Sequence, residues 1–212
     1  MTSSQLTVTL SSVRLFVMIV LAIWFGLVFF FAANEVFVLP PEAPPFPILF
    51  SVIVPLAVFL AAFLGSGVFR AFILTADLRL LTAIQAWRAG GLGFLALHAY
   101  GILPGLFAWP AGLGDIAIGV TAPWVALALI RKPAFAGSRL FVIWNLLGIL
   151  DLVVAVSTGV LGSGFVAGLV GIITTAPMAQ LPLVLIPAYL VPLFIMLHLT
   201  ALFQARRFGG GS

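Results

Sequence analysis

The sequence contains no cysteine and only one lysine, Lys132. The lack of cysteine excludes thiolate zinc sites, iron–sulfur clusters and thiol catalysis, although it assigns no redox compartment. Lys132 lies between apolar segments, which excludes a retinal Schiff base within one of them. The His-Glu-x-x-His, Walker A and Gly-x-Ser-x-Gly motifs are also missing. These absences favour a non-enzymatic protein without deciding whether any reaction is catalysed.

Charged residues are scarce and apolar residues abundant. Of 212 residues, 7% are charged and 64% are hydrophobic, whereas soluble domains are about 25% charged and about 45–50% apolar. This composition excludes a soluble globular domain, a disordered chain and a disulfide scaffold. It predicts an all-α polytopic transmembrane bundle, in which the lipid bilayer is the chief partner.

The net charge of +4 does not indicate a nucleic-acid partner. The basic residues stand singly or in pairs near the ends of apolar segments, which is how topology determinants are distributed. No basic run interleaved with aromatic residues is present to bind nucleic acid. The nine basic residues are Arg14, Arg70, Arg79, Arg88, Arg131, Lys132, Arg139, Arg206 and Arg207.

Six apolar segments predict six membrane spans within a single transmembrane domain over residues 14–207. Residues 1–13 are interpreted as a cytoplasmic tail, 70–84 as a cytoplasmic helical extension near the interface, and 208–212 as an appended flexible linker. The predicted spans are 14–33, 48–69, 85–104, 112–130, 139–159 and 182–203.

Residues 160–181 are uncharged and rich in glycine, so their structure decides the number of spans. With six spans and a cytoplasmic N-terminus, the basic residues lie at or near the cytoplasmic face, as the positive-inside rule favours. We therefore predict six spans plus a re-entrant or interfacial glycine-rich segment, which is allowed at membrane depth when buried in protein or lining water. The alternative is a seven-span chain.

Three ionisable side chains fall in the outer half of the predicted bundle. A rise of about 1.5 Å per residue places His98, Asp115 and Asp151 at similar depths, with Tyr100 nearby. Ionisable residues at membrane depth are costly and often functional. This outer band predicts a pocket for a small polar solute, or a proton relay. The alternatives are that His98 is a packed, hydrogen-bonded side chain and that Asp115 caps the first turn of its helix.

The same arithmetic places a second, inner polar band nearer the cytoplasm, formed by Gln85, Arg88, Asn145 and, with six spans, His198. Gln85 and Asn145 are most simply hydrogen bonders between helices. Arg88 is interpreted as a side chain that extends to the lipid headgroups.

No metal site is predicted, and no cofactor is assigned. One alternative is a haem b held by His98 and His198, the only histidines in the chain. With six spans the two histidines differ in depth by roughly 13 Å, and only seven spans bring them to one level. The haem hypothesis therefore depends on the seven-span topology.

Three stretches in the C-terminal half carry a family resemblance: GDIAIGVTAP at 114–123, IWNLLGILDLVVAV at 143–156 and LPLVLIPAYLVPLFIML at 181–197. Together they resemble a group of uncharacterised bacterial multi-span membrane proteins. The resemblance implies a bacterial inner membrane, and it implies no chemistry.

These observations leave three functional hypotheses. The first is small-solute transport or binding in the outer pocket, linked to a proton. The second is a haem-binding redox subunit. The third is a structural or assembly subunit in which polar residues only hold helices together. Each is compatible with a homo-oligomer.

Overall fold

The computed structural model describes residues 3–40, 42–165 and 171–209. This part of the chain contains helices and no strand. Six of its helical segments are long and apolar enough to cross a membrane, so the predicted six-span all-α architecture is confirmed and the chain is a multi-pass integral membrane protein. The six segments are Ser12–Ala33, Phe46–Gly65, Leu78–Ala99, Gly105–Arg131, Arg139–Leu161 and Ile186–Arg207.

Eight α-helices and four short turns build these segments within the described residues. The α-helices are α1 (Ser3–Ala33), α2 (Phe46–Gly65), α3 (Gly67–Leu74), α4 (Leu78–Ile84), α5 (Leu92–Ala99), α6 (Gly105–Arg131), α7 (Arg139–Leu161) and α8 (Val191–Gly209). The 3-10 turns are Gln85–Gly91, Pro133–Gly137 and Ala176–Ala179, and a π-helical turn spans Ile186–Leu190.

At both ends of the chain, the helices extend further than the sequence predicts. The segment interpreted as a tail is helical from Ser3 onward, and α8 continues to Gly209. Residues 210–212 of the predicted linker lie outside the described residues.

The glycine-rich segment does not extend α7. That helix ends at Leu161, and the 3-10 turn Ala176–Ala179 follows later in the segment. Residues 166–170 lie outside the described part, so the re-entrant form predicted for 160–181 is described only at its two ends.

The third span begins seven residues earlier than predicted because Asp77 caps it. The Asp77 carboxylate accepts a hydrogen bond from the backbone N–H of Arg79 at 2.9 Å, as an N-cap residue does. This bond and the Arg79 side chain lower the pKa of Asp77 below its ordinary value. Residues 78–84 therefore belong to the third span, and only α3 remains of the predicted interfacial extension.

The fourth span also begins seven residues before its predicted start. Pro104 has an extended backbone and precedes α6, which starts at Gly105 and runs through Asp115 without a break. Pro110 and Pro123 are accommodated inside this helix. Buried Ala108 and Ala111 give α6 a face of small side chains on which the third span packs.

The two ends of the bundle differ in charge. The loop face carries the connections 34–45 and 162–185 and includes Glu35 and Glu42. The opposite end, the basic face, carries the start of α1, the α2–α4 connection, the α6–α7 connection and the end of α8. Its basic residues are Arg14, Arg70, Arg79, Arg131, Lys132, Arg139, Arg206 and Arg207.

Candidate functional site

Arg88 lies at the centre of the bundle, between two carboxylates. Its side chain is 1% exposed and projects from the 3-10 turn Gln85–Gly91. The Nε atom donates to Oδ1 of Asp115 at 2.7 Å, and Nη2 donates to Oδ2 of Asp151. Hydrogen bonds between ionised groups are about twice as strong as neutral ones. This ion-pair triad joins the third, fourth and fifth spans.

His198 extends the cluster to the sixth span. Its Nε2 lies 3.1 Å from Nη1 of Arg88, which also donates to the carbonyl oxygen of Gly148 at 3.3 Å. An arginine has no acceptor atom, so Nε2 must accept and the ring proton must be on Nδ1. Nδ1 then donates to Oδ1 of Asn145 at 2.9 Å, and the Asn145 amide donates to the carbonyl of Phe141 at 2.8 Å. The network therefore holds His198 as the neutral Nδ1–H tautomer.

The charges in this cluster do not balance when every carboxyl is ionised. One guanidinium faces two carboxyl groups, each of which pairs with it from a different helix. A neutral His198 adds no charge, so the sum is −1. Since an uncompensated charge inside a membrane bundle is costly, the arrangement favours one further positive charge. A proton shared by the carboxyl pair can supply it.

Glycines provide the space that the cluster occupies. A Cβ at Gly114 would overlap the Asp151 carboxylate, and one at Gly148 would overlap the imidazole ring of His198. At Gly119 a Cβ would lie 2.7 Å from the carbonyl carbon of Arg88. The close approach of the 3-10 turn to α6 therefore depends on the absence of a side chain at position 119.

We expect Gly148→Ala to lower the free energy of unfolding by about 1–3 kcal/mol, because the new methyl group displaces His198 from Arg88. The matched control is Gly93→Ala in α5, where the added Cβ meets nothing within 4 Å apart from its chain neighbours and its own helix backbone. That substitution should be neutral or should stabilise by up to about 1 kcal/mol through helix propensity. Thermal unfolding in detergent measures both changes. Equal effects of the two substitutions would contradict the packing described at Gly148.

An apolar cavity of about 380 Å³ lies at the loop face and reaches Asp115. Exposed Val38 and Ile172 line one end, whereas buried Phe94 and Phe107 line the interior. Asp115 is the one ionisable side chain among the described residues that line it. The volume falls in the range of about 300–1,000 Å³ that is typical of small-molecule sites.

The π-helical turn Ile186–Leu190 forms part of the cavity wall, through Ile186 and Pro187. Proline lacks the N–H that would continue the helical bonding pattern. Such single π turns often occur at functional sites. The irregular start of the sixth span therefore faces the cavity.

All four ionisable cluster residues lie near mid-membrane. Asp115 is ten residues from the loop-face end of α6, and Asp151 is ten residues from that end of α7. Arg88 and His198 are eleven and twelve residues from the corresponding ends of their spans. At about 1.5 Å per residue, these positions are roughly 15–18 Å deep in a core of about 30 Å.

Residues of the predicted outer and inner bands therefore contact one another in the structure. Asp115 and Asp151, assigned to the outer band, contact Arg88, assigned to the inner band. The interpretation of Arg88 as a side chain that extends to lipid headgroups is wrong, because its guanidinium is buried and paired. The interpretation of Asp115 as a helix cap is also wrong, because α6 begins at Gly105.

His98 and Tyr100 lie away from this cluster. Nδ1 of His98 is 2.9 Å from the carbonyl oxygen of Leu103, and its ring makes an edge contact with Trp109. Tyr100 is 82% exposed in the turn after α5. A functional role for either residue stays a prediction.

Gln85, predicted to join helices by hydrogen bonds, is buried one turn before Arg88. Its side-chain oxygen has no hydrogen-bond partner among the described residues. Asn145 fulfils the predicted role through its bond to His198.

The haem hypothesis required a seven-span chain, and the described residues contain six spans. Both ring nitrogens of His198 already face protein partners, Arg88 and Asn145. No group of three His, Asp or Glu side chains suited to a metal ion occurs among residues 3–40, 42–165 and 171–209.

The chain belongs to the family described as "Domain of unknown function (DUF8737)", which matches residues 44–206. The match extends beyond the C-terminal half in which the sequence resemblance was found, and it includes every residue of the ionisable cluster and its glycines. No curated protein and no solved structure matches the chain.

Proposed function

We propose that this family member binds a small amphipathic cation in the loop-face cavity, in exchange for a proton held by Asp115 and Asp151. The observation that carries the proposal is the position of Asp115, which lines an apolar cavity and also forms one side of a triad with an unbalanced negative charge. A ligand cation and a proton can each neutralise that charge.

The cavity walls support an apolar ligand body. Phe37, Phe94 and Phe107 line the cavity together with aliphatic side chains. Aromatic faces attract cations as well as apolar groups. These walls support an amphiphile with one positive group, whereas the sequence predicted a small polar solute or a proton relay.

Proton exchange follows from competition for one site. Binding of a cation beside Asp115 makes a shared proton between the carboxyl groups unfavourable, because the total charge would then be +1. The proton is released toward the cavity, which reaches Asp115. Exchange of this kind at mid-membrane is the coupling step that proton-linked transport requires.

We further propose that the chain resides in a bacterial inner membrane with the basic face in the cytoplasm. The concentration of arginine and lysine on that face supports this orientation through the positive-inside rule. The N-terminus would then be cytoplasmic, and the cavity would open on the opposite side.

The test is calorimetric titration of the detergent-solubilised protein with benzyltrimethylammonium and with its neutral isostere, neopentylbenzene. Empty micelles are titrated in parallel to subtract partitioning. We expect the cation to bind at least about tenfold more tightly, since a desolvated cation–π contact contributes about 2 kcal/mol and the Asp115 carboxylate adds Coulomb attraction. Binding of the isostere as tightly as the cation, or no binding of the cation, would refute the proposal.

A further inference from the structure

A second depression lies on the basic face, between the ends of α2, α3 and α8. Its volume is about 430 Å³. The rings of Phe63 and Phe203 stack at its base with centroids 4.2 Å apart. Leu60 and Leu64 form an exposed apolar wall beside them. We call this depression the basic-face groove.

Arginines border the basic-face groove. Arg206 and Arg207 are exposed and belong to its lining, in which no described residue is acidic. The guanidinium of Arg70 lies 5.8 Å above the ring of Phe63. Arg70 also donates to the carbonyl oxygens of Phe63 and Leu64, at 3.0 and 2.6 Å. Three positive charges therefore surround an apolar floor.

Hydrogen bonds from Gln204 help to position the groove. The side-chain amide of Gln204 donates to the carbonyl oxygens of Ile73 and Ala76, both at 2.9 Å. These bonds tie the end of α8 to the connection between α3 and α4. Arg206 and Arg207 follow Gln204 by two and three residues, so this attachment helps to place them at the edge of the groove.

We propose that the basic-face groove binds an anionic phospholipid of the adjacent leaflet. The phosphate pairs with Arg206 and Arg207, whose planar guanidinium groups suit phosphate oxygens. An acyl chain packs along Leu60 and Leu64 toward the bilayer interior. Basic pockets between spans are a recognised way to hold acidic headgroups. This inference is independent of the ligand proposed for the loop-face cavity.

Native mass spectrometry of the solubilised full chain measures lipid affinity directly. Phosphatidylglycerol should bind the native protein more tightly than phosphatidylcholine. The double substitution Arg206→Gln, Arg207→Gln should weaken phosphatidylglycerol binding about 30-fold, since each arginine near an anionic lipid surface contributes roughly a factor of five. Glycerol 3-phosphate, which has the phosphate without the chains, should not compete.

The control is Arg131→Gln with Lys132→Gln, which removes the same charge from exposed residues of the same face outside the groove. It should leave phosphatidylglycerol affinity within about twofold of the native value. Three results would each overturn the proposal: equal losses in both variants, equal binding of the two phospholipids, or full competition by glycerol 3-phosphate.

Discussion

Replacing Arg88 with methionine is expected to lower the free energy of unfolding by about 3–5 kcal/mol. The guanidinium is 1% exposed and bonds to both Asp115 and Asp151. Its removal leaves two carboxyl groups without their shared counter-charge and deprives His198 of its donor. Chemical unfolding in detergent measures the loss.

Two further variants separate the effect of unpaired charge on stability from a non-specific loss of stability. Arg79→Gln removes the arginine of an exposed pair with Asp77 and should cost less than about 1 kcal/mol. The triple substitution Arg88→Met, Asp115→Asn, Asp151→Asn removes all three charges and should recover most of the loss. If the triple variant is no more stable than Arg88→Met alone, unpaired charge is not the cause.

Replacing Asp115 with asparagine is expected to weaken benzyltrimethylammonium binding about 10- to 100-fold, because the Coulomb attraction of the carboxylate is lost. The substitution keeps the shape of the cavity and leaves Arg88 neutralised by Asp151 alone. It also removes the proton that competes with the ligand.

For the native protein, the affinity for benzyltrimethylammonium should rise with pH by up to about tenfold per unit, because fewer protons compete at higher pH. For Asp115→Asn the affinity should not depend on pH. Calorimetric titration at several pH values measures both effects.

The matched control is Asp77→Asn, the same chemical change on the basic face and outside the cavity. The affinity of this variant for benzyltrimethylammonium, and the pH dependence of that affinity, should equal those of the native protein. If Asp115→Asn binds the cation as tightly as Asp77→Asn does, Asp115 is not the ligand carboxylate.

The number of spans could be predicted from sequence, because runs of about 20 apolar residues and the placement of arginines are strong local signals. Where each helix begins depends on weaker signals. Asp77 and Arg79 suggested an interfacial segment, yet Asp77 is the N-cap of α4 and the membrane span starts at the next residue. The proline at 104 likewise precedes α6 directly.

The depth predicted for each side chain depends on those two boundaries. A shift of seven residues corresponds to about 10 Å along a helix. This error separated Arg88 from Asp115 by depth and made the arginine a surface residue and the aspartate a cap. The 3-10 turn Gln85–Gly91 adds a further displacement, since its rise is about 2.0 Å per residue.

The contacts between these side chains could not be predicted from the sequence, for a different reason. Asp115 and Asp151 could be predicted as site residues because carboxylates are rare at membrane depth. Their shared partner depends on which faces of three helices meet, and the glycines at 114, 119 and 148 permit that contact. No local pattern around His198 indicates that it packs against Gly148.

On binding, a cation is proposed to replace a proton shared by Asp115 and Asp151 beside Arg88. Calorimetric titration of benzyltrimethylammonium in two buffers of different ionisation enthalpy counts the protons released for each cation bound. As the pH is lowered until the carboxyl pair holds its proton, the number of protons released should approach one per cation. Binding without proton release at every pH at which the protein stays folded would contradict this exchange.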